Sequence, residues 1–179
     1  TFINVAYRNT REILELGINV LLGTHARHRM RVATKRFMDV YTLQEKNLIT
    51  HTPEGWRVHF AQSSGPAPIV RGFQSRYEQI DWVAESIVAM LEQDSVLPEH
   101  ILVLAPRVTS FQYLSQRVTQ LSKQPLSIRI VGGHYQQHID EMLILPSHLS
   151  FSTIHAAKGY DAPVVIILDT DLMNNNVVG

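Results

Sequence analysis

A threonine, a histidine and a lysine lie close together in TIHAAKGYDAPV, residues 153–164, between two hydrophobic segments. Thr153 and His155 alternate with an isoleucine, so both side chains can point away from a buried residue at the end of a strand. Lys158 and Gly159 then turn the chain, and a glycine lets the backbone approach a ligand closely. A hydroxyl, an imidazole, an ammonium and backbone amides together suit a phosphodiester. An ordinary polar strand end with a Lys-Gly turn would have the same composition.

The elements that must position this stretch are strands that alternate with amphipathic helices. Strands are predicted at 2–7, 55–62, 101–106, 127–131, 149–154 and 164–171. Helices are predicted at 8–22, where Asn9 or Thr10 is the N-cap, at 77–92 and at 111–121. The helix at 77–92 has an apolar stripe at helical spacing, formed by Ile80, Val83, Ala84, Ile87, Val88 and Leu91. This alternation predicts an α/β fold with a mainly parallel sheet.

Three polar clusters fall where predicted strands end. They are AYRN, which contains Arg8, LAPR, which contains Arg107, and FSTIH, which contains Thr153. In open parallel sheets, ligands bind outside the carboxyl ends of the strands. We therefore expect these clusters to converge on one edge of the sheet.

The composition excludes several classes of site. The chain has no cysteine, so disulfides and thiolate metal sites are excluded. No apolar run approaches the roughly 18 residues that predict a transmembrane helix, and we expect a cytoplasmic protein with no membrane contact. The pairs His25/His28 and His134/His138 have helical spacing, but no carboxylate or cysteine pattern joins them. Surface or structural histidines are favoured, and no metal site is predicted.

The charge is distributed unevenly along a chain with a formal net charge of zero. Residues 1–36 contain seven basic residues: Arg8, Arg11, Arg27, Arg29, Arg31, Lys35 and Arg36. Such a basic stretch can bind phosphates, although a solvated helix face has the same charge pattern. Neither GxxxxGK[ST] nor GxGxxG occurs, so any nucleotide chemistry needs a phosphate cradle from another domain.

The segment TIHAAKGYDAPVVII resembles motif V of the UvrD/Rep-type superfamily 1 helicases, T-x-H-x-A-K-G-L-E followed by a hydrophobic strand. VAYRNTREIL is similar to their motif IV, N-Y-R-S-T-x-x-I-L. ILVLAPRVTSFQYLSQRV resembles the segment with a Y-R-T-N-A-Q-S-R core, and SIRIVGG resembles P-Y-x-I-Y-G-G. The resemblance implies that residues 1–179 are the second RecA-like domain of a helicase, with a three-layer α/β/α fold that lacks its own P-loop. Residues 24–70 match loosely and are interpreted as a connecting region.

The resemblance implies two sets of site residues. Arg8 would reach the γ-phosphate of ATP bound on the other RecA-like domain, and Gly159 and Asp161 would lie at the nucleotide. Asp161 stands where the family has a glutamate that bonds the ribose. Because aspartate is one methylene shorter, either a backbone shift brings it to the ribose hydroxyl or the contact is lost. The second set would bind nucleic acid and comprises Thr153, His155, Lys158, Arg107 and Ser110.

Two departures from the family are visible. Only about fifteen residues separate Gly133 from the strand that begins LSFS, too few for the family's accessory domain. Motif VI, Q-x-x-R-x-x-x-V-A-x-T-R, does not occur, so we expect the chain to be part of a longer protein.

The leading hypothesis is therefore the C-terminal motor domain of an ATP-dependent DNA helicase or translocase. Its partners would be single-stranded DNA, with RNA as an alternative, and the N-terminal RecA-like domain, which would hold most of the ATP and Mg²⁺ contacts. The isolated chain should be inactive as an ATPase. One alternative is a non-catalytic nucleic-acid-binding module on a degenerate helicase scaffold. Another is an α/β interaction domain that uses the basic N-terminal stretch on a protein partner.

Overall fold

The computed structural model describes residues 9–22, 40–132 and 143–172. Contacts within the chain divide it into two compact units, Thr1–Arg71 and Gly72–Gly179. The predicted strand at 2–7 lies outside the described residues, as do the two histidine pairs. In the described part of the chain, no helix is long and apolar enough to cross a membrane.

In its described residues, 9–22 and 40–71, the first unit has two helices and a β-hairpin. Its elements are α1 (Arg11–Leu22), α2 (Val40–Glu45), β1 (Ile49–Thr52) and β2 (Gly55–Val58). The core of the unit contains Val40, Ile49, Trp56, Val58 and Ala61. The strand predicted at 55–62 is present but ends at Val58. Strand β1 was not predicted because only its first residue, Ile49, is apolar, and ITHT has no alternating apolar pattern.

Polar side chains of α1 attach this helix to β2. Asn19 Oδ1 accepts a hydrogen bond from Trp56 N at 2.8 Å, and Asn19 Nδ2 donates to Trp56 O at 3.0 Å. Glu15 accepts from Val58 N and from Arg57 Nη1, both at 3.1 Å. Among the residues that the structure describes, β2 pairs with one strand, β1, so these side chains satisfy backbone groups that would otherwise need water.

Glu12, in the first turn of α1, predicts a pH effect on stability. It accepts hydrogen bonds from Ser64 Oγ and Gly65 N, and these donors, the Ser64 hydroxyl first, lower the pKa of Glu12 from 4.5 to about 2. Because the pKa is lower in the folded state, this stabilisation is present above pH 4.5 and is lost as the pH falls toward 2. Glu12→Gln should therefore make the stability of the protein decline less steeply in this interval. Urea unfolding midpoints across the interval measure it, and parallel curves for the two proteins would contradict the prediction.

The second unit contains the parallel sheet. Its elements are α3 (Arg76–Glu92), a 3₁₀ helix (Pro98–His100), β3 (Ile101–Ala105), α4 (Thr109–Leu121), β4 (Ser127–Val131), β5 (His148–Thr153) and β6 (Val164–Ile167). The strand order is β4-β5-β3-β6, and all three pairings are parallel. These four strands were predicted from their apolar runs. The structure confirms an α/β fold with a parallel sheet.

Helices α3 and α4 pack against one face of this sheet. The apolar stripe of α3 is buried at Ile80, Val83, Ala84 and Ile87, as the sequence predicts. These residues join Ile101 and Val103 of β3, Phe111 and Leu114 of α4, and Leu149 and Phe151 of β5 in one core. The opposite face packs around Leu102, Leu143 and Ala157. The arrangement is compatible with a three-layer α/β/α fold.

The connections between strands create a switch point between β3 and β5. From β3 the chain passes through α4 to β4, two positions away on one side. From β5 it crosses β3 in the other direction to reach β6, over the face that contains Ala157. Neighbouring strands whose connections leave toward opposite faces open a crevice at their carboxyl ends, where α/β proteins bind ligands.

Candidate nucleic-acid interface

The chain forms one tight turn immediately after β5. Ala157 N donates to Thr153 O at 3.0 Å, and Lys158 N donates to His155 O at 3.4 Å. Gly159 has a φ of +98°, a value that favours glycine, so it ends the helical turn and redirects the chain. The sequence A-A-K-G thus follows a local rule: helix-compatible residues form the turn, and a glycine ends it.

This turn separates apolar from polar side chains. Ala157 is buried against the sheet, whereas His155 and Lys158 are exposed. Thr153 is partly buried, and its Oγ1 accepts a hydrogen bond from Ala156 N at 3.4 Å. Because a hydroxyl can accept and donate together, this contact leaves the Thr153 proton available for a phosphate oxygen. An imidazole, an ammonium and a hydroxyl donor therefore lie within one turn at the carboxyl edge of the sheet.

Thr153 also packs tightly against the end of the neighbouring strand. Gly132 follows β4 with a φ of +124°. A Cβ atom at Gly132 would lie 2.6 Å from Thr153 Oγ1 and 2.7 Å from Thr153 Cγ2, closer than real Cβ contacts. The absence of a side chain at Gly132 is thus what leaves room for Thr153. This contact was not predicted from the sequence.

Arg107 lies in the loop that follows β3, the strand that pairs with β5 on the side opposite β4. Ala105, the last residue of β3, is the register partner of Thr153, and Ile154 N donates to Ala105 O at 3.2 Å. The loops that follow β3 and β5 therefore leave the sheet side by side. Arg107 is exposed, as the prediction of a phosphate contact requires. The structure brings Arg107 and the 153–159 turn to the same edge.

Ser110 is at this edge but faces the interior. It is 2% exposed, and its hydroxyl donates to Asp169 Oδ2 at 2.5 Å. Ser110 Oγ in turn accepts from Arg76 Nη2 at 2.9 Å. In this arrangement the Ser110 hydroxyl is not exposed to solvent, whereas Arg107, His155 and Lys158 of the same predicted set are exposed.

Two of the three residues predicted to lie at the nucleotide, Gly159 and Asp161, are among the described residues. Asp161 is exposed and precedes β6 by three residues. Since β6 is parallel to β3, the chain between Thr153 and Val164 returns from the carboxyl edge of the sheet to its amino edge, and Asp161 lies on this returning segment. Gly159 ends the turn that begins this segment. Arg8 lies outside the described residues. Among the residues that the structure describes, no group of three or more His, Asp or Glu side chains could hold a metal ion.

Two charged residues at the carboxyl edge were not predicted from the sequence. Asp169 follows β6 and is 6% exposed, and Arg76 is the first residue of α3. The signal for Asp169 was available, because VVIILDTD places an aspartate at the end of a predicted strand. Arg76 had no such signal, because it directly precedes the helix predicted at 77–92 and follows no predicted strand.

The second unit thus belongs to the α/β class, with a parallel sheet whose carboxyl edge carries a basic and hydroxyl-containing loop cluster at a topological switch point. Comparisons with protein-family models, curated protein sequences and solved structures found no significant match.

Proposed function

We propose that this chain is the second RecA-like domain of an ATP-dependent DNA helicase or translocase, and that its carboxyl-edge loops hold the backbone of single-stranded DNA. The observation that carries the proposal is the placement of the helicase-like turn at the switch point. His155 and Lys158 are exposed there, beside the exposed Arg107. Phosphate contacts of this kind hold a strand without reading its sequence, as a translocating motor requires.

The nucleotide part of the proposal rests on the resemblance to the helicase family. The partner RecA-like domain would supply the P-loop, the Mg²⁺ ligands and the carboxylate that activates water, and Arg8 would approach the γ-phosphate. A guanidinium suits this role because it stabilises charge spread over phosphoryl oxygens. Closure of the cleft on ATP and its opening after hydrolysis would then move one domain along the strand.

The proposal predicts a specific effect of Lys158 on binding of an oligothymidylate. In Lys158→Ala, the slope of log K against log salt concentration should fall in magnitude by about 0.7, the value for one lost phosphate contact on a single strand. At low salt, affinity should fall about three- to tenfold. Fluorescence anisotropy titrations of the 179-residue chain at several salt concentrations measure both quantities.

Lys123 provides the matched control. It is also an exposed lysine, with a side chain that is 86% exposed, but it follows the carboxyl end of α4 and pairs with Glu92. Since α4 starts near the carboxyl edge of the sheet and runs back toward the amino edge, Lys123 lies away from the proposed interface. Lys123→Ala should leave the salt slope unchanged. Equal effects of the two substitutions would indicate binding through general charge and would refute the placement of the strand.

A binding module without catalysis is the second candidate. It is favoured by the short connection between β4 and β5, which has no room for the accessory domain of the helicase family. It requires the same loops but no ATP. If the complete protein binds single-stranded DNA but shows no ATP-dependent movement along it, the binding module is supported and the motor is not.

A further inference from the structure

A polar cluster at the carboxyl edge joins three elements of the second unit. Arg76 Nη2 lies 2.9 Å from Ser110 Oγ and 3.4 Å from Asp169 Oδ2. The Ser110 hydroxyl donates to the same Asp169 oxygen at 2.5 Å. These contacts connect the first residue of α3, the first turn of α4 and the end of β6.

The cluster is buried at one end and open at the other. The Asp169 side chain is 7% exposed and Ser110 is 2% exposed, whereas the Arg76 side chain is 48% exposed. A buried carboxylate is costly unless it is paired and hydrogen-bonded, and Asp169 has both kinds of partner. The half-exposed Arg76 guanidinium is therefore paired with a carboxylate that is itself buried.

Arg76 has donors left for a ligand. Both contacts that Arg76 makes within this cluster come from Nη2, and its side chain is 48% exposed, so the cluster does not use the Nε and Nη1 donors. A guanidinium fixed in this way presents a planar pair of donors that matches two phosphate oxygens. The start of α3 is itself well fixed, since Ser75 Oγ accepts from Glu78 N at 3.2 Å and Glu78 Oε2 accepts from Gln74 N at 2.9 Å.

The position of the cluster relates it to the proposed interface. Ser110 N donates to Arg107 O at 3.3 Å, so the residue that contacts Arg76 also fixes the loop that carries Arg107. Asp169 follows β6, which is next to β3 at the same edge. Its φ of +51° is uncommon for residues other than glycine but is tolerated by aspartate.

We propose that Arg76 is a further phosphate-binding residue for the single strand, and that Asp169 and Ser110 are positioning residues that orient its guanidinium. The inference rests on the proposed function, because its ligand is a backbone phosphate of the strand held at this edge. It extends the interface from the Arg107 loop to the start of α3. If the cluster only joined α3, α4 and β6, it would affect stability and leave the salt dependence of binding unchanged.

The direct test is the salt dependence of oligothymidylate binding by Arg76→Gln. We expect the slope of log K against log salt to fall in magnitude by about 0.7. The matched control is Arg117→Gln, because Arg117 Nε pairs with Asp81 at 2.6 Å between the same two helices, with a side chain that is 38% exposed. The control should keep the wild-type slope. An unchanged slope in Arg76→Gln, or equal changes in both variants, would overturn the inference.

Asp169→Asn separates positioning from general electrostatics, because the two predict opposite signs. Removal of a negative charge near a polyanion should strengthen binding if only net charge matters. We expect binding to weaken about three- to tenfold instead, because Arg76 loses the carboxylate that orients it. Asparagine tolerates the backbone conformation at this position and can still accept from Ser110. Tighter binding or unchanged binding would overturn the positioning role.

A second variant keeps the test valid if thermal unfolding shows that Asp169→Asn is not folded at the titration temperature. Arg76→Lys retains the charge but loses the planar pair of donors. It should keep the salt slope and bind more weakly, and wild-type affinity would overturn the inference. A wild-type chain that does not bind oligothymidylate would refute the proposed function and this inference together. Sensitivity to Lys158→Ala without sensitivity to Arg76→Gln would refute this inference alone.

Discussion

Gly132→Ala should destabilise the second unit by about 2–5 kcal/mol. Two costs add at this position. The φ of +124° is a conformation that residues with a Cβ rarely adopt. The new methyl group would also lie 2.6 Å from Thr153 Oγ1, so either the end of β4 or the start of the 153–159 turn must move. Urea unfolding followed by circular dichroism measures the loss.

Two companion variants separate these costs. A methyl group added at Gly72 would meet no atom within 4 Å, and Gly72 has no positive φ, so Gly72→Ala should change stability by less than about 1 kcal/mol. Thr153→Ala in the Gly132→Ala background removes the atoms that clash and should recover part of the loss, while the backbone cost remains. Additive effects of the two substitutions would show that Gly132 and Thr153 do not compete for space.

The parallel sheet could be predicted because each of its strands is a short apolar run between turn signals. ILVLA is apolar on both faces and almost fully buried, as a central strand of a parallel sheet is, whereas SIRIV and VVII are edge strands of the described sheet that are partly exposed. The helix α3 was predictable for a related reason, since its stripe repeats at the helical period and is buried as expected. In this unit, local pattern and tertiary packing favour the same structure.

The hairpin of the first unit could not be predicted in the same way. In β1 only Ile49 is buried, and the remaining residues are polar and largely exposed. Its stability comes from contacts distant in sequence, such as those of Asn19 with Trp56, 37 positions away. A sequence pattern does not indicate which polar side chain will bond which backbone group, because that depends on how α1 and β2 are packed.

The carboxyl-edge cluster shows the same limit within the candidate site. Position after a strand was enough to single out Arg107 and Thr153, because loops at the ends of parallel strands share an edge. It was not enough to decide burial. Ser110 was included in the set predicted to bind nucleic acid. Its hydroxyl instead donates to Asp169, 59 positions away, and faces the interior. Long-range pairing of polar groups determines which side chains of a loop remain available to a ligand.

Under the proposed function, the largest functional effect is expected for Arg8→Ala in the complete protein. If Arg8 stabilises charge on the γ-phosphate during transfer, kcat for DNA-stimulated ATP hydrolysis should fall about 10³-fold. ATP affinity, measured separately with a fluorescent nucleotide, should change only a few-fold, because an interaction made only in the transition state does not contribute to ground-state binding. Comparable losses in kcat and in affinity would contradict a transition-state role.

Arg11→Ala is the matched control for this prediction. Arg11 is an exposed basic residue in the first turn of α1, three positions along the chain, so its removal changes the net charge equally. It should leave kcat within a few-fold of the wild type. Arg8→Lys adds a second comparison, because an ammonium retains the charge but cannot present the planar pair of donors. If lysine restores hydrolysis fully, charge alone is sufficient at this position; if it does not, the geometry of the guanidinium is part of the catalytic contribution.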